Sequence, residues 1–342
     1  MTSQELRTTC AEILRAGRGI LAADESTGTI EKRFKSANIP NTEENRRDYR
    51  EMLFSTAGME NFISGVIFFD ETLRQKSRAG LALPKLLSDK RVVPGIKVDK
   101  GTIALPGSPN ETITQGLDDL GKRLAEYKTL GARFAKWRAV ITIGDGIPSN
   151  YCIAANAHAL ARYAAICQSE GIVPIVEPEV LMDADNTIER CFEVTCATLR
   201  AVFDELDTQR VELEGILLKP NMVVSGKKCA VQAGVQEVAQ RTLECFRRHV
   251  PAAVPGIVFL SGGQTDEAAT AHLGAMNQMG PTPWVLSFSY GRALQAPAIK
   301  AWAGKQDNWK RGQAEFAKRA KLNGAAAVGK YKPKMEKEPV AV

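Results

Sequence analysis

The sequence is poor in aromatic residues and contains no long apolar run. Aromatic side chains make up only 6% of its 342 residues, and no basic run carries the interleaved aromatics that stacking on single-stranded nucleic acid requires. No window approaches the roughly 18 consecutive apolar residues of a membrane span, and the first residues lack the apolar core of a signal peptide. These absences argue against a nucleic-acid partner and against a membrane partner.

The cysteines and histidines argue against a disulfide framework and against a metal site. The seven cysteines are odd in number, scattered and without a CxxC pair, which is typical of free thiols in a reducing compartment. The sequence therefore predicts a cytoplasmic protein without a disulfide framework. The three histidines, His158, His249 and His272, are not at a metal-ligand spacing, and none ends a predicted strand. We therefore expect no catalytic metal and no cofactor.

The remaining composition is that of an ordinary globular protein. Hydrophobic residues make up 44% of the chain and charged residues 25%, which is enough for a sizeable core without disulfide or metal staples. The net charge of +6 arises from 45 basic and 39 acidic residues that are largely interleaved. Such a mild positive balance can attract anionic metabolites.

Eight short apolar runs recur along the chain, each too short for a helix and most ending at a charged residue or glycine. Continuous apolar runs of this length are typical of strands buried on both faces, as in parallel sheets. The runs are Gly19–Asp24, Gly65–Asp70, Pro94–Asp99, Phe134–Arg138, Val173–Glu179, Gly215–Lys219, Gly256–Ser261 and Pro283–Ser289.

Amphipathic stretches with helical spacing alternate with these runs. The clearest are Thr114–Leu130, Ile153–Glu170, Thr187–Leu206, Val231–His249 and Thr265–Met279. The alternation predicts βαβ units, and eight strands in about 270 residues match a single (β/α)₈ barrel of the α/β class. A doubly wound sheet is the alternative, but Ala22–Gly28 lacks the G-x-G-x-x-G spacing that would favour it. Without an internal linker, we predict one barrel over residues 1–330 and a polar, mobile tail over residues 331–342.

Charged and hydroxyl side chains follow nearly every predicted strand, where a barrel carries its catalytic groups. One such residue would ordinarily be a solvated loop charge, but seven strand ends together are poorly explained in that way. Residues i and i+2 of a strand share a face, so paired charges on one strand can both point inward. The strand-end residues are Asp24, Lys97, Asp99, Lys136, Arg138, Glu177, Glu179, Lys219, Ser261 and Arg292.

Lys219 is the sharpest of these candidates. It closes the apolar run after Leu218 and faces a water-poor barrel mouth. Desolvation and nearby cations both disfavour an ammonium group there, and a neutral amine is what Schiff-base formation with a carbonyl substrate requires. Glu177 and Asp24 are then available for proton transfers. A structural lysine paired with a glutamate is the alternative.

A second set of residues is typical of a phosphate site. Ser261, Gly262 and Gly263 follow the seventh strand, and Gly291 and Arg292 follow the eighth. Barrels frequently bind phosphate in the loops after these two strands, through backbone N–H groups that glycine makes accessible. Arg292 adds a charged fork, which favours this interpretation over a tight turn alone.

Several strings along the chain resemble the motifs of the class I fructose-bisphosphate aldolase family. The match runs from about residue 17 to about residue 331 and includes Gly19–Gly28, Asn41–Arg47, Gly95–Gly101, Phe134–Arg138, Val173–Glu179, Leu217–Met222, Phe259–Gln264 and Phe288–Leu294. The resemblance implies a (β/α)₈ barrel without a cofactor. It also implies reversible cleavage of fructose 1,6-bisphosphate to dihydroxyacetone phosphate and glyceraldehyde 3-phosphate, in glycolysis and gluconeogenesis. Members of the family are commonly homotetramers, which the sequence itself does not show.

The resemblance also implies a role for each matched residue. Lys219 would attack the C2 ketone, Glu177 would be the main acid/base, assisted by Lys136 and Glu179, and Asp24 would interact with the C4 hydroxyl. The implied substrate-binding residues are Arg138, Ser261, Gly262, Gly291 and Arg292 (the last four at the C1 phosphate), Ser26, Thr29 and Lys97 (at the C6 phosphate), and also Arg33 and Gly263.

The sequence departs from the family pattern at its C-terminus. Animal and plant members end in a tyrosine that helps proton exchange at the enamine, whereas this chain ends Pro339–Val342. The nearest tyrosine, Tyr331, matches a different tyrosine of the family. The group that protonates the enamine is therefore left open.

Two other functions fit part of this pattern. Another Schiff-base aldolase or transaldolase would share the barrel and the lysine, but the second anion site at Ser26, Thr29 and Lys97 argues against a substrate with one phosphate. A scaffold or binding protein on the same fold would not need Lys219 together with Glu177. The preference between fructose 1,6-bisphosphate and fructose 1-phosphate stays open.

Overall fold

A closed barrel of eight parallel strands forms the centre of the computed structural model, which describes residues 3–338. Each strand pairs with its neighbours in sequence, and β8 pairs with β1 to close the barrel, which confirms the predicted (β/α)₈ fold. Each of the eight apolar runs forms one strand. The strands are β1 Gly19–Ala23, β2 Ile63–Phe68, β3 Val93–Lys97, β4 Phe134–Ile141, β5 Val173–Val180, β6 Leu217–Leu218, β7 Gly256–Phe259 and β8 Val285–Tyr290.

Helices surround the barrel and connect its strands. They are α1 Ser3–Ile13, α2 Thr27–Lys35, α3 Glu43–Phe54, α4 Asp70–Arg74, α5 Leu83–Ser88, α6 Leu120–Thr129, α7 Asn150–Ser169, α8 Ile188–Thr208, α9 Val235–His249, α10 Asp266–Gln278, α11 Arg292–Trp302 and α12 Trp309–Ala326. Short 3₁₀ helices lie at Met59–Asn61, Leu213–Gly215, Gln306–Asn308 and Pro333–Lys337. Within residues 3–338, none of the helices has the length and apolar character needed to span a bilayer.

Side-chain caps determine where several helices begin. The hydroxyls of Thr42, Ser149, Thr187 and Thr265 each accept a hydrogen bond from a backbone N–H in the first turn of α3, α7, α8 and α10. The helix expected from Thr114 begins only at Leu120. The reason is that Thr112–Thr114 pairs with Thr102–Ala104 as an antiparallel hairpin outside the barrel, a feature that the helical spacing from Thr114 did not indicate.

Apolar side chains fill the barrel on both faces of its sheet. Inside it, the ring of Phe134 packs so closely on β3 that a Cβ atom at Gly95 would lie 2.3 Å from the ring. Outside it, strand residues such as Val66 and Val176 pack against the helices, and both are fully buried. This burial on both faces explains why the strands are continuous apolar runs.

Residues 331–338 pack against α12, so the prediction of a free tail does not hold for this segment. Arg319 of α12 is only 3% exposed and its Nη1 lies 2.7 Å from Oε2 of Glu336. The hydroxyl of Tyr331 donates to Oε1 of the same carboxylate at 3.0 Å. The buried guanidinium thus holds the segment in place, and residues 339–342 lie outside the described part of the chain.

A buried histidine on α10 predicts a loss of stability in acid. His272 is 8% exposed, its Nδ1 lies 2.6 Å from Oε1 of Gln264, and burial lowers the pKa of His272 to about 4. Because this folded pKa lies below the ordinary value, the buried neutral imidazole contributes its full stability above pH ~6.5. This contribution to the free energy of unfolding is lost as the pH falls towards 4. We expect this residue alone to lower the free energy of unfolding by about 3 kcal/mol across that range.

The matched variant is His272→Asn, which keeps an N–H donor towards Gln264 but does not titrate. Urea unfolding at pH 7, 5.5 and 4.5 should show a smaller loss of stability for this variant than for the unchanged protein. Parallel losses in the two proteins would show that His272 is not buried in its neutral form.

Candidate active site

A cavity of about 420 Å³ opens at the carboxyl ends of the barrel strands. All but one of the residues predicted to act in catalysis or substrate binding line it, although they come from distant parts of the chain. They are Asp24, Ser26, Thr29, Arg33, Lys97, Lys136, Arg138, Glu177, Glu179, Lys219, Ser261, Gly262, Gly291 and Arg292. Gly263 is the exception, because it is covered by Lys227, whose Nζ would lie 2.2 Å from a Cβ atom at that position.

Lys219 extends the shortest strand of the barrel into this cavity. Its backbone N–H donates to the carbonyl of Val176 at 2.8 Å, which continues the pairing of β6 with β5 by one residue. The side chain is 5% exposed, and its Nζ lies 3.3 Å from Oε1 of Glu177. The predicted lysine therefore reaches the cavity with one carboxylate in direct contact.

Lys136 lies in a different electrostatic environment. Its Nζ is 2.8 Å from Oδ2 of Asp24, 3.4 Å from Oε2 of Glu177 and 3.7 Å from Oδ2 of Asp99. Burial by itself would lower the pKa of Lys136, but the three carboxylates raise it well above its ordinary value. Lys136 is therefore held as an ammonium ion, which cannot act as an amine nucleophile.

Two of the carboxylates beside Lys136, those of Asp24 and Asp99, are held in their ionised form. Burial would raise the pKa of Asp24, but Lys136 and Lys219 lower it well below its ordinary value. For Asp99, burial is likewise outweighed by Lys136 and Lys97, which lower its pKa. Lys97 also binds Asp99 directly, with Nζ 2.6 Å from Oδ1. Asp24 is consequently a hydrogen-bond acceptor inside the cavity.

Arg138 and Glu179 form an ion pair at the wall of the cavity. Nε of Arg138 donates to Oε2 of Glu179. Burial would lower the pKa of Arg138, but this carboxylate raises it, so the guanidinium remains charged. Glu179 is thus occupied by Arg138, whereas Glu177, two residues earlier on β5, contacts both lysines.

Two groups of cationic and hydroxyl residues could hold anions in this cavity. In the first, Gly291 precedes α11, and Nη2 of Arg292 donates to the carbonyl of Gly262, which has a φ of +54°. Arg33 lies close to Gly291, since its Nη2 would be 3.6 Å from a Cβ atom at that position. Backbone N–H groups at a helix start and two guanidinium groups together favour a phosphate.

The second group lies at the start of α2. Ser26 is the N-cap residue of this helix, and its Oγ lies 3.1 Å from Oγ1 of Thr29. Lys32, one turn further along α2, and Lys97 also line the cavity. The cavity therefore offers anion-binding groups both beside Arg292 and at the start of α2. The buried lysines and carboxylates line the same cavity.

Comparison with known proteins agrees with this geometry. The sequence model for the class I fructose-bisphosphate aldolases of glycolysis matches residues 5–341. This chain belongs to the class I fructose-bisphosphate aldolase family. The aldolase is accordingly a carbon–carbon lyase of glycolysis, in a class that works through a lysine Schiff base, and the predicted family, fold and reaction are confirmed.

Named relatives cover nearly the whole aldolase chain. A probable class 1 fructose-bisphosphate aldolase of Xanthomonas campestris is 57% identical over 333 residues, which cover 97% of this chain and 100% of the relative. The cytosolic fructose-bisphosphate aldolase 4 of Arabidopsis thaliana is 52% identical and covers 96% of this chain, which covers 84% of that relative. A solved structure of the Plasmodium falciparum aldolase, in complex with TRAP and a small-molecule inhibitor, superposes on this chain with a TM-score of 0.95 at 50% identity. The match covers 96% of this chain and 95% of the Plasmodium chain.

The candidate site also contains residues that the sequence patterns did not indicate. Glu25 lines the cavity, contacts Arg33, and binds buried Arg50 at 2.8 Å and Gln295 at 2.9 Å. Ser289 and Lys32 line the cavity as well. Glu25 directly follows a strand-end aspartate, and Ser289 ends a predicted strand, so position alone could have identified both. Nothing in the local sequence indicates the contribution of Arg50.

Proposed function

We propose that Lys219 is the Schiff-base lysine of this aldolase and attacks the C2 ketone of fructose 1,6-bisphosphate. The observation that carries the proposal is the contrast between the two buried lysines. Three carboxylates surround Lys136 within 3.7 Å and keep it charged, whereas Lys219 has Glu177 as its carboxylate contact. Attack on the ketone requires a free amine, and Lys219 has one carboxylate contact to give up where Lys136 has three.

Glu177 is the proton donor and acceptor of this mechanism. Its two oxygens lie 3.3 Å from Lys219 and 3.4 Å from Lys136, so it can exchange protons directly beside the nucleophile. Loss of water from the carbinolamine requires a proton on the departing hydroxyl, and Glu177 is within reach of that step. Glu179 assists through Arg138, which it holds at the wall of the site.

Asp24 acts on the C4 hydroxyl of the substrate. As the C3–C4 bond breaks, the electron pair of that bond moves to C3 and the iminium becomes an enamine, while the C4 hydroxyl passes its proton to the carboxylate of Asp24 and becomes the aldehyde. Asp24 is held ionised by Lys136 and Lys219 and therefore accepts a hydrogen bond from that hydroxyl. Lys136, at 2.8 Å, fixes the orientation of this carboxylate.

The two cationic groups bind the two phosphates. Ser261, Gly262, Gly291 and Arg292 hold the C1 phosphate, with Arg33 beside them. Ser26, Thr29 and Lys97 hold the C6 phosphate. Two separate anion-binding groups favour a bisphosphate over a substrate with one phosphate. The carbonyl of such a substrate would then be positioned between them for Lys219.

Borohydride trapping tests the assignment of the nucleophile. Reduction in the presence of dihydroxyacetone phosphate should inactivate the enzyme and place the reduced adduct on the peptide that contains Lys219. Lys136 and Lys97 are matched internal controls, because both line the same cavity and are held in ion pairs. An adduct on either of them, or an active enzyme that is not labelled, would refute the role of Lys219.

Arg292→Ala should weaken binding of the bisphosphate substrate. A charged hydrogen bond is worth about 1.5–3 kcal/mol, so the KM for fructose 1,6-bisphosphate should rise by roughly 10- to 150-fold. Cleavage of an unphosphorylated ketose should change much less. Arg311→Ala is the control, because Arg311 is an exposed arginine of α12 that does not line the cavity. Equal losses on both substrates would remove Arg292 from the phosphate site.

The cytoplasmic location and the homotetramer are further parts of the proposal. The free cysteines and the cytosolic relative in Arabidopsis support the location. Resemblance to the family supports the tetramer. Light scattering on the purified protein tests it, with an expected mass of four times 37.2 kDa.

A further inference from the structure

Two cysteines on neighbouring helices are in contact away from the active site. Sγ of Cys196 on α8 lies 3.0 Å from Sγ of Cys245 on α9, although the residues are 49 positions apart in sequence. A disulfide bond is about 2.05 Å long, so an approach of about 1 Å would join the two sulfur atoms. Cys196 is partly exposed and Cys245 is buried. A dissolved oxidant therefore reaches Cys196, and Cys245 contacts it from within.

The surroundings of Cys196 favour its thiolate. The hydrogen bond with Cys245 is the largest influence and lowers the pKa of Cys196, whereas burial raises it. The charges of Arg248 and Arg241 lower this pKa further, and that of Glu244 raises it. Both guanidinium groups are positioned over the ring of Phe192, at 5.5 and 4.0 Å from its centroid. A partly exposed thiol beside cations is the reactive kind, because the thiolate is the nucleophile.

The same two helices hold the chain that follows Lys219. Thr195, which immediately precedes the cysteine on α8, accepts a hydrogen bond from Nδ2 of Asn221 at 3.1 Å. Thr242, three residues before the cysteine on α9, accepts from the backbone N–H of Val223 at 2.9 Å. A movement of either helix is therefore transmitted to the segment that begins two residues after Lys219.

We propose that Cys196 and Cys245 form a redox-reactive pair, and that its oxidation to a disulfide by a hydroperoxide slows turnover at Lys219. The thiolate of Cys196 attacks one peroxide oxygen and becomes a sulfenic acid, while the other oxygen leaves and is protonated. The sulfur of Cys245 then displaces the sulfenic hydroxyl, which leaves as water. Two thiols and one hydrogen peroxide give one disulfide and two waters.

The effect on turnover follows from geometry. Drawing the sulfur atoms together by about 1 Å shifts α8 and α9, and through Thr195 and Thr242 the segment after Lys219, by a part of that distance. A misplacement of 1 Å can lower a rate by about 100-fold, so a fraction of it lowers the rate by less. This effect rests on the proposed role of Lys219, whereas formation of the disulfide does not. A peptide map therefore distinguishes a failure of the cysteine proposal from a failure of the proposed nucleophile.

The test uses the full-length protein, treated with a small excess of hydrogen peroxide and compared with the reduced protein. We expect a peptide containing Cys196 to be cross-linked to one containing Cys245. We also expect kcat to fall by about 3- to 30-fold with little change in KM, and dithiothreitol to restore it. Cys196→Ser should remove both the cross-link and the fall in kcat. Cys245→Ala, which removes the second thiol of the pair, should remove them as well.

Cys229→Ser is the matched control, because Cys229 is the other partly exposed cysteine. This variant should keep both the cross-link and the loss of kcat. A cross-link between other cysteines, or oxidation of Cys196 while Cys245 remains a free thiol, would overturn the proposal. A Cys196–Cys245 disulfide that leaves kcat unchanged would overturn its effect on turnover.

Discussion

Lys219→Met should abolish aldol cleavage while leaving the protein folded and able to bind its substrate. Methionine keeps the approximate length of the side chain but removes the amine that forms the Schiff base. Removal of a covalent nucleophile lowers kcat by about 100,000-fold or more. Folding should be largely retained, because Glu177 remains 3.4 Å from Lys136 in this variant and is not left as an unpaired buried charge.

Lys136→Met is the matched comparison, because it also removes a buried lysine from the same cavity. Here Asp24, Asp99 and Glu177 lose the ammonium that they share. Breaking a buried ion pair costs about 3–5 kcal/mol, so this variant should lose stability as well as activity.

Kinetics and urea unfolding of both variants separate the two roles. Equilibrium binding of fructose 1,6-bisphosphate should persist in Lys219→Met, since the residues assigned to the phosphates are unchanged. Residual cleavage by Lys219→Met near the unchanged rate would show that another group forms the covalent bond. Equal destabilisation of the two variants would contradict the different surroundings of the two lysines.

The barrel and the main site residues could be predicted from the sequence because both depend on local patterns. A strand buried on both faces is a continuous apolar run, and a barrel places the ends of such runs at one face. Lys219, Glu177 and Asp24 therefore converge without any knowledge of long-range contacts. The length of β6 was less predictable, because Leu213–Gly215 turns as a 3₁₀ helix before the strand begins.

Features that depend on distant pairs could not be predicted in this way. Glu25 binds Gln295 across 270 positions of sequence, and neither residue lies in a pattern that indicates the other. The contact of Cys196 with Cys245 requires the packing of two helices. The two strands of the hairpin, Thr102–Ala104 and Thr112–Thr114, are exposed or half-buried except at Thr114, and so they lack the continuous apolar signal of a barrel strand.

In the C-terminal segment, contacts with distant residues change the expected effect of truncating the chain. Residues 331–338 are polar, and their composition predicts a free tail whose removal is harmless. In the structure, Glu336 accepts hydrogen bonds from Arg319 and Tyr331, and its backbone carbonyl accepts one from Lys318 at 2.6 Å. Two truncations of the chain are therefore expected to behave differently.

Truncation after Glu338 should leave both bisphosphate cleavage and tritium exchange into dihydroxyacetone phosphate near the full-length rates. The residues removed, Pro339–Val342, contain no tyrosine, histidine, cysteine or other side chain that can donate a proton. Protonation of the enamine is then left to groups of the barrel, with Glu177 or a water that it orients as the proposed source. Selective loss of the exchange reaction would show a proton-transfer role for these last residues.

Truncation after Pro333 should destabilise the protein by about 3–5 kcal/mol, because it leaves a buried guanidinium without its carboxylate. Arg319 is 3% exposed, and after the loss of Glu336 its remaining carboxylate is that of Asp266, at 3.7 Å. Glu336→Gln in the full-length chain is the matched variant, since it removes the charge but keeps the segment, and it should reproduce most of the loss. Urea unfolding of the three proteins provides the measurement. Equal stability after the two truncations would show that the Arg319–Glu336 pair does not hold the segment. Any loss of activity in the shorter chain would then have to arise at the active site itself.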